Sequence, residues 1–139
     1  MRNKGLLFIA ILLSSCTSPQ ERQAHQLFNG YIATIDSCYN ALGDYWKQEE
    51  LNELEMRQQT EEWLPLVSMI EEKAKKASEV IAPYDSLLSA TAINCHETAS
   101  DAVFYANHFL QGEGSAYFDK LRTWLGHFGV SLQDLHNED

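Results

Sequence analysis

Residues 27–43 read LFNGYIATIDSCYNALG. Apolar side chains fall at Leu27, Phe28, Tyr31, Ile32, Ile35, Cys38, Tyr39 and Leu42, a spacing of threes and fours that lines one face of an α-helix. Gly43 follows as a C-terminal stop. The same period recurs three more times. A second segment, with Asp44 as its N-cap, carries Leu51, Leu54, Trp63, Leu66, Val67, Ile70, Ala74, Ala77 and Ile81 and ends before Pro83. A third, capped by Asp85 or Ser86, places Leu88, Thr91, Cys95, Ala99, Ala102, Tyr105, Ala106 and Phe109 on one stripe ahead of Gly112-Glu113-Gly114. A fourth, opened by Ser115, carries Tyr117, Phe118, Leu121, Trp124, Leu125 and Phe128; Gly129 is its expected end, and Ser131 to Asp134 can open one more short turn. No run sustains the alternation of a strand. The expected fold is all-α, a small up-and-down four-helix bundle. Its second helix is expected to kink or break near Pro65, where a backbone donor is missing.

Composition agrees with one such unit. The chain has 139 residues, 45% of them hydrophobic and 11% aromatic, with only 7 Gly and 3 Pro; that is enough apolar mass for a core and too little Gly and Pro for a disordered or collagen-like chain. The third helix is rich in small residues (Ala90, Ala92, Ala99, Ser100, Ala102, Ala106), while bulky aromatics sit on the first, the fourth and the end of the third. Small against large is the pattern of complementary core packing.

The first residues have a different character. Arg2 and Lys4 precede an apolar run, Gly5 to Leu13, too short for a stable membrane span and typical of an export signal. Leu13-Ser14-Ser15-Cys16 follows, and it resembles the lipobox of bacterial lipoproteins. That resemblance implies removal of residues 1–15, acylation of Cys16, a lipidated tether over residues 16–22 and a helical domain over residues 23–139. Acyl chains contribute about 0.8 kcal/mol per buried CH2, so a multiply acylated Cys16 holds its membrane stably. Thr17 in place of an aspartate after the cysteine implies, by the same resemblance, the outer membrane, with the domain facing the periplasm of the cell envelope. Only Thr17, Ser18, Pro19 and Gln20 separate Cys16 from the helical pattern, on the order of 15 Å even when extended.

Removing Arg2 and Lys4 with the signal takes the net charge from −10 to −12. So acidic a domain is not expected to bind nucleic acid, whose phosphates it repels, and a protein partner is expected to offer a basic surface. The densest acidic stretch is Asp44 to Glu62. Tyr45, Trp46, Glu49, Glu50 and Glu53 are its candidate partner-binding residues, aromatic anchors among charges. A solvated helix held by pairs such as Glu53 with Arg57 at i, i+4 accounts for the same residues.

With Cys16 acylated, Cys38 and Cys95 remain. Both lie on apolar stripes of an exported chain, and a Cys38 to Cys95 disulfide is expected, with free buried thiols as the alternative. His96, Glu97, Asp101 and His108 are the candidate metal ligands: Glu97, Asp101 and His108 fall within roughly 40° on a helical wheel. The solvent boundary of a helix gives the same spacing. A zinc-protease motif is broken because Ser100 stands where its second histidine is needed. There is no nucleophile elbow and no phosphate loop. No cofactor is implied, and no residue set argues for an enzyme. The expected function is a non-enzymatic, membrane-anchored protein-binding or accessory module, an assembly factor or an immunity-type binder. A metal- or small-ligand-binding bundle in the periplasm is the alternative.

Overall fold

A computed structural model describes residues 17–43 and 50–138. Four helices follow one another: α1 (Pro19–Ala41), α2 (Glu53–Ile81), α3 (Ser86–Leu110) and α4 (Ala116–Glu138). Helix α1 starts where local chemistry allows. The Ser18 side chain accepts from the Glu21 backbone N–H at 3.0 Å, and Pro19 occupies the first turn, where its missing donor costs nothing. Residues 19–22 are therefore helix. At the other end Gly43 takes φ +73°, the left-handed conformation that glycine enters without steric penalty.

Helix α2 begins later than its stripe suggested. Asn52 rather than Asp44 is the N-cap, in a reciprocal capping box with Glu55: the Asn52 carboxamide accepts from Glu55 N at 2.9 Å and the Glu55 carboxylate from Asn52 N at 3.2 Å. Two orphan donors are satisfied at once. Asp44 to Glu49 lie outside the described residues. Pro65 sits exposed within α2, and the helix is not broken there. A proline inside a helix costs about 3 kcal/mol, but Trp63, Val67 and Ile70 on either side are 4%, 2% and 1% exposed. Burial at roughly 1.5–3 kcal/mol per large apolar side chain outweighs the proline.

The same comparison corrects the end of α4. Gly129 does not terminate it; the helix continues through Gly126 and Gly129 to Glu138. Leu132 and Leu135 extend the stripe of Leu125 and Phe128 into the core, and two buried leucines exceed the glycine penalty of about 1 kcal/mol per residue.

Consecutive helices are antiparallel and carry the extensive interfaces. Trp63 Nε1 donates to the Leu42 carbonyl at 2.9 Å, joining α2 to the end of α1. Ser89 Oγ donates to the Ser78 carbonyl at 2.9 Å and Arg57 to the Leu110 carbonyl at 3.0 Å, fixing both ends of the α2–α3 pair. Ala92, Ala99, Ala102 and Ala106 of α3 are fully buried in one core with Phe28, Trp63, Phe118 and Phe128 of the other helices. The bundle closes where α1 meets α4, through Tyr39 against Phe128 and a 2.8 Å hydrogen bond from His136 Nε2 to Asp36.

That closure corrects the expected disulfide: Cys38 and Cys95 are free thiols. With α1 flanked by α2 and α4, helix α3 lies across the bundle axis from α1. A disulfide needs Cα atoms within about 7 Å, a separation for neighbouring helices and not for diagonal ones. Burial pushes the Cys95 thiol up to about 12 and raises that of Cys38; the Asp134 carboxylate adds to the effect at Cys95.

Candidate functional site

The predicted metal ligands are not brought together. His96 Nδ1 donates to the Glu71 carbonyl of α2 at 2.9 Å, so that nitrogen carries its proton and has no lone pair to offer. His108 Nδ1 pairs with Glu113 of the α3–α4 turn. Glu97 and Asp101 are exposed to solvent. Among the described residues no three His, Cys, Asp or Glu side chains converge to hold a metal ion. Residues on one stripe of one helix are separated along its axis, and a metal site needs donors from a second element.

Of the predicted partner residues, Tyr45, Trp46 and Glu49 lie outside the described residues, as does Cys16. Glu50 and Glu53 are exposed. Glu53 lines a groove of about 330 Å³ with Met56, Phe109, Gly112, Gly114 and Ser115, where the start of α2 meets the α3–α4 turn.

Beside that turn lies a surface that takes in Tyr105, Tyr117 and Trp124, expected on the core stripes, together with Phe104 and His108. The aromatic residues of α3 and α4 divide. Phe109 and Phe118 turn inward, 3% and 1% exposed, while Phe104, Tyr105, His108, Tyr117 and Trp124 stay at least partly open to solvent. Phe104 is 52% exposed. The outward set is continuous: Tyr105 meets Phe104, Tyr117 and Trp124 at centroid distances of 5.4, 6.1 and 6.3 Å, and the His108 ring lies between Phe104 and Tyr117 at 4.0 and 5.2 Å. Lys120 Nζ stands 5.6 and 5.5 Å from the Tyr105 and Tyr117 ring centres, within cation–π range. Trp124 continues the array to His127 at 5.1 Å.

Local spacing produces this. Tyr105 and His108 are three residues apart on α3, and Tyr117, Lys120, Trp124 and His127 step by three and four along α4, so each set forms one row, and antiparallel pairing lays the rows side by side. Tyr105, Tyr117 and Trp124 each directly precede a buried residue, Ala106, Phe118 and Leu125, so they stand at the edge of the stripe and not at its centre. Rings already packed against one another lose little freedom when a partner covers them, and such groups dominate binding surfaces.

The sequence matches no protein family, and no curated protein or solved structure matches it. Among the described residues no helix is long and apolar enough to cross a membrane.

Proposed function

We propose that this chain is a membrane-anchored envelope lipoprotein, held through Cys16 in the outer membrane and facing the periplasm, whose helical domain binds a protein partner and carries out no chemistry of its own. The observation that carries the binding role is the aromatic surface of α3 and α4. An exposed Phe beside half-buried Tyr and Trp rings, with an ammonium over two of the rings and carboxylates nearby, has the composition of a protein interface centre. Exposed Glu97 and Asp101 lie on the same stripe of α3 as Phe104, and Glu113 pairs with His108 of the array, which favours a partner bringing basic groups. An assembly factor and an immunity-type binder both use such a surface.

A photo-crosslinking residue at Phe104 in living cells tests the reading, with one at exposed Glu79 of α2 as the reference. The expected result is a discrete adduct from position 104 that weakens when Glu97 and Asp101 are reversed to lysine. No adduct above the reference, or one indifferent to the reversal, refutes the surface. Mass analysis of the mature N-terminus tests the anchor: acylated Cys16 is expected in the parent and no acylation in Cys16→Ser.

A further inference from the structure

The α3–α4 turn is built around Glu113. Gly112 and Gly114 on either side of it take φ +84° and +118°, a region that glycine enters without steric penalty. Glu113 N donates to the His108 carbonyl at 3.2 Å, which folds the turn back over the end of α3, and the Glu113 carboxylate accepts from His108 Nδ1. A carboxylate has only lone pairs to offer. The proton of the neutral imidazole therefore stays on Nδ1, and Nε2 carries the lone pair. That second nitrogen has no hydrogen-bond partner among the described residues, where every buried side-chain nitrogen and oxygen is satisfied. Nε2 is thus an acceptor open to solvent.

Its frame is the aromatic surface. The His108 ring lies between Phe104 and Tyr117. Lys120 stands over Tyr105 and Tyr117, whereas Phe104, 52% exposed, has no cation on its face among the described residues. Asp101 and Glu97, one and two turns before Phe104 on its stripe, are exposed carboxylates. These groups suit a planar cation that stacks on Phe104 and donates from its edge. A guanidinium does both; an ammonium offers no plane to stack and is more strongly hydrated. Phe104 and His108 have ring centres 4.0 Å apart, so one guanidinium reaches both.

We propose that the surface reads an arginine of its protein partner: the guanidinium stacks on Phe104 and donates to His108 Nε2, and Glu113 is the positioning residue that keeps the lone pair on that nitrogen. This rests on the aromatic surface being the protein-binding site.

The test keeps Phe104 in place and puts the photo-crosslinking residue at exposed Asn107, in the full chain in living cells. His108→Phe retains a ring between Phe104 and Tyr117 but has no acceptor, and it should lower the adduct about tenfold. Glu113→Gln, whose amide fixes neither tautomer, should lower it by a smaller factor. The peptide captured at 107, read by mass spectrometry, should contain an arginine whose replacement by lysine costs as much as His108→Phe. In purified chain labelled with nitrogen-15 at histidine, His108 should show a protonated Nδ1 and a bare Nε2 in the parent and a mixture of tautomers in Glu113→Gln, with the circular dichroism of both variants unchanged. An adduct indifferent to His108→Phe, a captured peptide that tolerates lysine for arginine, or a protonated Nε2 in the parent overturns the arginine reading and leaves the surface standing as a binding site. No adduct from either 104 or 107 refutes the surface and the arginine reading with it.

Discussion

Trp63 joins three helices, and its replacement should measure how the bundle is held in register. Its indole is 4% exposed, donates to the Leu42 carbonyl at 2.9 Å and stacks on Phe118 of α4 with ring centres 5.9 Å apart and planes 11° from parallel. Trp63→Phe keeps an aromatic ring but leaves the carbonyl of Leu42, itself 4% exposed, without its donor. An orphaned buried acceptor costs about 1–3 kcal/mol. The smaller ring adds a cavity term of about 1–2 kcal/mol, so a loss of about 3 kcal/mol is expected. Trp63→Ala should cost about 5 kcal/mol, the upper end for aromatic truncation, a large share of the roughly 5–15 kcal/mol that holds a domain of this size. Urea unfolding followed by far-ultraviolet circular dichroism gives both values, since the signal does not depend on the tryptophan removed. A double-mutant cycle with Phe118→Leu should return a coupling of about 0.5–1.5 kcal/mol for the stack. A Trp63→Phe variant within about 0.5 kcal/mol of the parent would refute the claim that this one side chain registers α1, α2 and α4.

The thiols should differ in reactivity. With Cys95 raised from 9.0 to about 12 by burial and by the Asp134 carboxylate, its thiolate fraction near neutral pH falls by about three orders of magnitude; the folded domain should therefore show one slowly titrating thiol, Cys38, and a second only after unfolding, whereas a disulfide would show none. Because the folded-state value lies above the unfolded one, stability present below pH 9 should decline as pH rises toward 12, and Cys95→Ala should flatten that decline in alkaline melts. Glycines should respond in opposite directions: Gly126→Ala, in mid-helix with nothing within 4 Å of the new Cβ, should raise stability by about 0.5–1 kcal/mol, while Gly43→Ala, at φ +73°, should lower it by about 1 kcal/mol. Thermal melts of the two variants check the sign of each.

The fold class was legible because apolar stripes dominate α1, α3 and α4, and because Pro19, Gly43 and the Gly112 to Gly114 turn mark chain reversals in chemistry that survives any tertiary context. The start of α2 was not, since Asp44 and Asn52 are equally good caps and the intervening residues are too polar to show a stripe; only the glutamate three residues after Asn52 distinguishes them. The end of α4 was misread because a glycine stops a helix only when nothing beyond it is buried. Site residues fared worse for a common reason. Both the Cys38–Cys95 pairing and the His96 to His108 cluster depended on how helices are ordered around the axis, and the outward aromatic surface exists only where two rows from different helices meet. Periodicity along a single helix carries none of that.

The unequal seams of the bundle also govern its motions. Every extensive interface joins helices that are consecutive in the chain, so each hairpin can zip up from its own turn with little loop-closure cost, and such local topologies fold quickly. The α1–α4 seam is different: it is closed by Tyr39 on Phe128 and by the exposed Asp36–His136 bond, groups separated by most of the chain. Opening should therefore begin along that edge, with α1 swinging outward on its α2 contacts while the α2–α3–α4 sheaf stays intact. Amide exchange will report the difference as faster turnover in Phe28 to Cys38 than in Cys95 to Ala106. Under the anchor proposed for Cys16, a pull on the leading end of α1 would be a pull on its least secured helix.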